Sequence, residues 1–457
     1  MTAEANKKDG FYKSLIAMVL PIALQNFMSA AVSASDAVML GFIDQDALSA
    51  VSLASQINFI YNLFIMIFTI STTMLAAQYW GKGDRSTVEK ILGFSLKLSF
   101  AVSLIFTLCT LFIPDLLMRI FTGDTALIGM GAGYLRTVSP SFLLMGFSQV
   151  YLCIMKNSGR TTKSTIIGSS VMILNVVFNG ALIYGIGPIP AMGITGAGAA
   201  TVAARFIEAV WILIESSWEG RIKIRMEFLL RTDKFLRSDY IKNAVPVLCN
   251  YLVWGCGFTM YSVIMGHLGS DAVAANSIAN IMKNLVICVC SGIGTAGGIL
   301  VGNELGKGNI ETAIAHGGRI TKLALASGVL SGVVLLCLTP LIVGFADLTD
   351  TARGYLQGML LMCSCYMIGK SVNATTIGGV FCAGGDAKFG FYCDSVVMWL
   401  IMVPLGLLSA FVWNLPVLVV YFILSLDEFL KLPVMTIHYK KYKWAKNLTR
   451  NEAALTQ

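Results

Sequence analysis

Long apolar runs separated by short polar breaks dominate this chain. A helix needs about 20 mainly apolar residues to cross the hydrocarbon core of a bilayer. Twelve segments reach that length: roughly 14–40, 47–76, 91–113, 129–155, 165–186, 193–217, 240–267, 271–302, 317–345, 353–382, 389–413 and 415–437, numbered here as spans 1 to 12. The pattern predicts an all-α integral membrane protein with twelve transmembrane helices. The one sizeable break, 218–239, is rich in Arg, Lys and Asp and reads as a cytoplasmic connector between two six-helix lobes. No loop is long enough to hold a soluble domain.

The residues that punctuate these runs occur twice, 225 positions apart. Pro21 recurs as Pro246, Gly41 as Gly266, and Asp46, Ala47, Ala50 and Ala54 as Asp271, Ala272, Ala275 and Ala279. Gly81-Lys82-Gly83 returns as Gly306-Lys307-Gly308, Gly93 as Gly318, Gly159 as Gly384 and Lys163 as Lys388. A repeat of that length implies two equivalent halves, residues 1–228 with the connector and residues 229–457 with a basic tail. In an apolar chain, such duplication is the signature of a secondary transporter with its substrate path between the halves. Six crossings per half return the chain to the same side, so the lobes are expected to be parallel and related by a pseudo-twofold axis along the membrane normal.

Composition agrees with the bilayer assignment. Of 457 residues, 56% are hydrophobic and 13% charged, against roughly 45–50% and 25% in a soluble domain. Of the 33 Lys and Arg, 22 fall in the termini and the loops after even-numbered spans and four more, Lys97, Lys242, Arg319 and Lys322, near that end of a span, while the opposite side holds only Arg119 and Arg353. Basic loops stay cytoplasmic, which places both termini inside. The net charge of +8 is thus a topology signal and gives no support to nucleic-acid binding. Span 1 has the basic flank and small-residue site of a signal peptide, but cleavage there would remove Pro21, whose mate Pro246 is internal.

Several candidate chemistries fall away. All eleven cysteines sit in apolar segments, and the close pairs Cys288/Cys290 and Cys363/Cys365 diverge on a helix, so they read as small packing residues. Gly292 to Gly297 matches a dinucleotide fingerprint in spacing only. It lies within a span and follows no strand, so close helix packing is the better reading. His267, His316 and His438 form no ligand set. No metal site, cofactor or nucleophile constellation is expected, and an intramembrane enzyme is disfavoured.

Ala77-Gln78-Tyr79-Trp80-Gly81-Lys82-Gly83-Asp84 and Val301-Gly302-Asn303-Glu304-Leu305-Gly306-Lys307-Gly308-Asn309 resemble the paired loop motif of the multidrug and toxic compound extrusion (MATE) family. Gly378 to Lys388 is similar to that family's junction between spans 10 and 11, and Met192 to Gly198 to its entry into span 6. The resemblance covers essentially the whole chain. It implies a cation-coupled antiporter that exports organic compounds by alternating access between two lobes.

The first lobe contains a candidate coupling site. Asp36 is the only acid well inside span 1, and an intramembrane carboxylate is costly unless paired, hydrated or protonated. Asn175 and Asn179 lie one turn apart on span 5. With Tyr134 of span 4 they fall in the outer half of the membrane. In the archaeal and DinF-like branches, the resemblance implies that an Asp fifteen residues after the span 1 Pro, a span 4 Tyr and a span 5 Asn form the coupling site. Where those relatives carry a second acid, this chain has Asn179, which leans toward one proton per cycle, although Asn oxygens also coordinate sodium. The bland alternatives are a buried carboxylate and an Asn pair that join helices, and an interfacial anchor at Tyr134.

In the second lobe, the NorM-type branch places a Glu where this chain has Trp254, so the resemblance is closer to the DinF-like branch. Lys283 and Lys370 lie near mid-membrane, with Asp427 and Glu428 at similar depth. The two lysines are tentative substrate-cavity residues or members of structural ion pairs. Lys431 with Asp427, and Arg205 with Glu208, have the spacing of intrahelical pairs, and Arg136 is expected to reach the outer headgroups. Pro21 fits a kink in span 1 that bends during transport or is simply fixed.

The expected protein is therefore a proton-coupled exporter of amphipathic organic compounds, acting as a monomer in the cell inner membrane with the lipid bilayer and a small-molecule substrate as its partners. Sodium coupling and the flipping of lipid-linked precursors are the alternatives.

Overall fold

A computed structural model describes residues 2–41, 45–185, 190–231, 233–346 and 348–450, with side chains described except at 2–9, 33, 34, 36–38, 40, 41, 45 and 230. The chain is 87% helix, without a strand among the described residues. In order, the helices are α1 (Thr2–Gly41), α2 (Gln45–Lys82), α3 (Arg85–Phe112), α4 (Pro114–Arg119), α5 (Thr125–Val138), α6 (Pro140–Asn157), α7 (Thr161–Tyr184), α8 (Gly193–Ser217) and α9 (Met226–Leu230). The second half holds α10 (Lys234–Gly266), α11 (Ser270–Val286), α12 (Cys288–Gly306), α13 (Ile310–Phe345), α14 (Asp350–Asn373), α15 (Ala387–Asp394), α16 (Val403–Leu407), α17 (Val417–Ser425) and α18 (Asp427–Lys440). Wider π-helical stretches, Ala374–Phe381, Ser395–Met402 and Leu408–Val412, run between α14 and α17.

Eight of the described helices are long and apolar enough to cross a membrane, and ten crossings result when each of two bent pairs counts as one. The pairs are α5 with α6, bent by 48°, and α11 with α12, bent by 44°. These ten coincide with spans 1 to 9 and span 11. Spans 10 and 12 fall on α14 with its π-helical continuation and on α17 with α18. Their polarity comes from Lys370 on α14 and from Asp427, Glu428 and Lys431 on α18.

The repeated loop motif has the same backbone in both halves. Gly83 and Gly308 take φ of 85° and 83°, a left-handed conformation that favours glycine. Each ends a long helix with a matching set of bonds. Gly83 N donates to Trp80 O and Asp84 N to Tyr79 O, while Gly308 N donates to Leu305 O and Asn309 N to Glu304 O, all at 3.0 Å. Asp84 then caps α3 by accepting from Thr87 N at 2.9 Å, which satisfies one of the orphan donors of the first turn.

Further along, the repeat shifts by one residue. Gly159, with φ of 77°, has its structural mate in Gly385, with φ of 81°, and not in Gly384. Arg160 N donates to Met155 O and Asp386 N to Phe381 O, each at 2.9 Å, so the turns correspond at an offset of 226. The ungapped pairings of Gly159 with Gly384 and of Lys163 with Lys388 are corrected accordingly. A wide turn absorbs an inserted residue without breaking a helix, and the π-helical stretch Ala374–Phe381 lies just before the shifted turn.

Packing divides the chain into two units, 2–26 with 242–450, and 27–241. In the first of these, Phe11, Leu15 and Ile22 of α1 share a core with Ile293, Ala296, Ile320, Phe381 and Trp444. Backbones there approach closely. A Cβ on Gly379 would sit 2.5 Å from the Gly294 carbonyl oxygen, the tight contact that small residues permit between membrane helices. In the other unit, buried Tyr61 of α2 donates to Phe142 O at 2.6 Å and bonds Ser103 Oγ at 2.7 Å, which ties α2 to α3 and α6.

Candidate functional site

In the unit formed by 27–241, a polar line runs along α7 and α8. Asn179, 2% exposed, donates from Nδ2 to Asn175 Oδ1, and Asn175 Nδ2 reaches Thr201 Oγ1, both at 3.4 Å. Both contacts are long for amide hydrogen bonds. One turn further along α8, Arg205 pairs with Glu208 at 2.8 Å, and Glu208 is fully buried. Tyr134 is 8% exposed on α5, which packs against α8 where Gly198 meets Thr137 and Val138. At the end of α7, Tyr184 donates from its hydroxyl to Met39 O of α1 at 2.6 Å. Asp36 belongs to α1, but its side chain lies outside the described residues.

The other unit holds a denser charged cluster. Lys370 Nζ lies 3.0 Å from Glu428 Oε1, while Asn373 Nδ2 donates to Glu428 Oε2 at 2.8 Å and to its backbone carbonyl at 2.6 Å. Lys431 sits 2.7 Å from Asp394 and 3.7 Å from Asp427, and Asn250 donates to the second Asp394 oxygen at 2.7 Å. Such groups remain charged in a low dielectric only when their remaining valences are also met. Most are met here, but Asp427 Oδ1 and the Tyr261 hydroxyl are buried without a hydrogen-bond partner among the described residues.

Lys283 differs from the other two lysines. Among the described residues no ion pair reaches it. Its Nζ instead lies over the rings of Tyr366 at 5.1 Å and Phe258 at 5.7 Å. Lys370 similarly lies 5.1 Å from the Trp254 ring. Trp254 and Phe258 stack on successive turns of α10, with centroids 5.8 Å apart and planes 17° from parallel. A separate cavity of about 510 Å³ between α13 and α14 is lined by Thr339, Pro340, Arg353 and Gln357 among others, and by none of these residues. Among the described residues, no group of three or more His, Cys, Asp or Glu is placed to hold a metal ion.

Comparison with known proteins gives these sites a setting. The MatE family profile matches residues 21–180 and again 246–408. The two matches begin at Pro21 and Pro246, at the repeat spacing. This chain belongs to the MatE family. It is a membrane-embedded, multi-pass secondary transporter of small organic substrates, and not an enzyme. MatE proteins are ion-coupled antiporters that need no cofactor. Similar relatives include the multidrug resistance protein MdtK of Pectobacterium atrosepticum, 23% identical with 87% of each chain covered. The multidrug resistance protein PmpM of Pseudomonas aeruginosa is also 23% identical, over 86% of this chain and 83% of its own. The fold matches that of a MOP superfamily transporter from Pyrococcus furiosus with a TM-score of 0.86, at 15% identity, covering 97% of this chain and 96% of the other.

For this MatE transporter, the structure brings Asn175 and Asn179 together on one face, as their spacing predicts, and adds Thr201, which the sequence reading missed. It places Lys370 in an ion pair with Glu428 of another helix. The intrahelical Lys431 and Asp427 pair is the looser of two contacts, because Lys431 lies closer to Asp394. Arg136, expected to reach the outer headgroups, has a partner within the protein. It pairs with Asp115 of α4 at 2.6 Å, with both side chains about half exposed. Pro21 lies within the continuous helix α1. Sequence reasoning also missed Asn250, Tyr366, Asn373 and Asp394. Their only advance signal was polarity within apolar spans.

Proposed function

We propose that this MatE protein is a proton-coupled antiporter that exports amphipathic organic compounds by alternating access between two lobes of six helices each, about 1–228 and 229–457 in sequence. The observation that carries the reading is the double family match beginning at Pro21 and Pro246. Relatives named multidrug resistance proteins across most of the chain support drug-like substrates. The monomer would sit in the inner membrane with both termini cytoplasmic, because basic residues gather in loops on that side.

Asp36 would carry the proton. The Tyr184 to Met39 bond joins the ends of the two helices that bear Asp36 and Asn179, which supports grouping Asp36 with Asn175, Asn179 and Tyr134. Trp254, at the place of the NorM-type Glu, supports the DinF-like branch. A carboxylate in low dielectric gains stability on protonation, so a proton gradient can bias the helix that bears it. Lys283 and Lys370 belong to the substrate-facing part of the second lobe.

The reading is tested by expressing the protein in a host stripped of its own exporters and following the intracellular accumulation of a panel of anionic, neutral and cationic amphipathic dyes. Lower accumulation that a protonophore reverses is the expected result. Unchanged accumulation of every dye, with the protein present in the membrane, contradicts it, and dependence on external sodium instead of the proton gradient replaces the coupling ion.

A further inference from the structure

We infer that the unit containing residues 242–450 binds a planar aromatic anion, which packs against the Trp254–Phe258 ring stack of α10 and pairs with the Lys283 ammonium of α11. The inference deepens the export reading by naming a substrate class and rests on that reading only for the transport step.

Most charges in the cluster already have partners. Glu428 is served by Lys370 and Asn373, and Asp394 by Lys431 and Asn250. Asp427 has its nearest cation in Lys431. Every carboxylate in the cluster thus draws on Lys370 or Lys431, and among the described residues Lys283 is the one ammonium of the three with no acid in contact. Lys283 is only half-buried. Ring faces hold a cation by quadrupole attraction, but they accept none of its hydrogen bonds in the strong, charge-assisted way an oxyanion does.

The neighbouring rings decide the rest of the ligand. Trp254 and Phe258 are both half-buried and stacked on one another, so they form an apolar aromatic strip along one side of α10. Lys283 lies over one of these rings and Lys370 over the other. An aromatic cation stacked there would meet like charge at both rings. A neutral aromatic would cover the strip and leave the Lys283 donors unmatched. An aliphatic anion would satisfy the lysine and forgo the stacking. A fused aromatic ring bearing a carboxylate or sulfonate satisfies both, with offset stacking as the favoured ring geometry.

The test is equilibrium binding to the full-length protein in nanodiscs, with 2-naphthoate, 2-naphthylmethanol, 2-naphthyltrimethylammonium and cyclohexanecarboxylate as probes. Naphthoate is expected to bind about tenfold or more tightly than each of the others. Lys283→Met should abolish that advantage and Lys283→Arg should keep it, while Trp254→Leu should weaken both naphthoate and naphthylmethanol. Tighter binding of the cation, or equal binding of naphthoate to wild type and to a folded Lys283→Met protein, overturns the proposal. The ranking of probes on the wild type decides the matter even if a variant does not fold. Because binding is read without any gradient, its outcome is independent of whether coupled export is observed.

Discussion

Lys370 and Glu428 meet 3.0 Å apart between α14 and α18, with the Glu428 side chain 2% exposed and Asn373 donating to its second oxygen. A pair this buried is costly to break from one side, because the survivor keeps its charge without compensation. Lys370→Met or Glu428→Leu alone should destabilise the protein by about 3–5 kcal/mol, and the double replacement Lys370→Met with Glu428→Leu should recover most of that loss. Thermal unfolding of the three variants in detergent checks this. Additive losses in the double variant would show that the two groups do not act as a pair.

The span pattern and the glycine loops were legible because each depends on residues close together in sequence. Apolar runs mark crossings, and Gly83 and Gly308 mark turns that need positive φ. The pairing of Asn175 with Asn179 and of Arg205 with Glu208 followed from helical spacing alone. The charged cluster was not legible in the same way. Asn250, Asn373, Asp394 and Lys431 come from α10, α14, α15 and α18, and only tertiary packing joins them. The one-residue shift at Gly385 was hidden because a π-helical turn absorbs the extra residue while the neighbouring glycine keeps the ungapped match plausible. The packing of Phe11, Leu15 and Ile22 with distant residues such as Ile293, Phe381 and Trp444 leaves no local trace.

Gly378 and Gly379 are adjacent but should respond differently to a methyl group. A Cβ on Gly378 meets nothing within 4 Å, whereas one on Gly379 would lie 2.5 Å from the backbone oxygen of Gly294. Gly378→Ala should be nearly silent. Gly379→Ala should cost about 1–3 kcal/mol, the usual range for overpacking, because a backbone carbonyl cannot swing aside as a side-chain end can. Comparing the melting temperatures of the two variants checks the expectation, and equal values would refute the close approach of α12 to the 374–381 turn.

The coupling proposal makes Asn179 informative. It is buried and bonded to Asn175 on the same helix. Asn179→Asp adds a second carboxylate, whose charge with that of Asp36 would better balance a sodium ion held by oxygen ligands. Export by this variant should become stimulated by external sodium, whereas wild-type export should not. A variant that stays folded and insensitive to sodium would remove Asn179 from the coupling site.

The central claim is that Asp36 takes up the proton that drives export, and transport in proteoliposomes with imposed gradients tests it most directly. Wild-type protein should move substrate against its gradient when the external side is made acidic, and an inward sodium gradient alone should not drive it. Asp36→Asn should fold and bind substrate, yet lose gradient-driven transport and the pH dependence of substrate affinity. Wild-type rates from Asp36→Asn under the proton gradient, with unaltered pH dependence, would contradict the account and move the coupling role to the acids of α8 or α18.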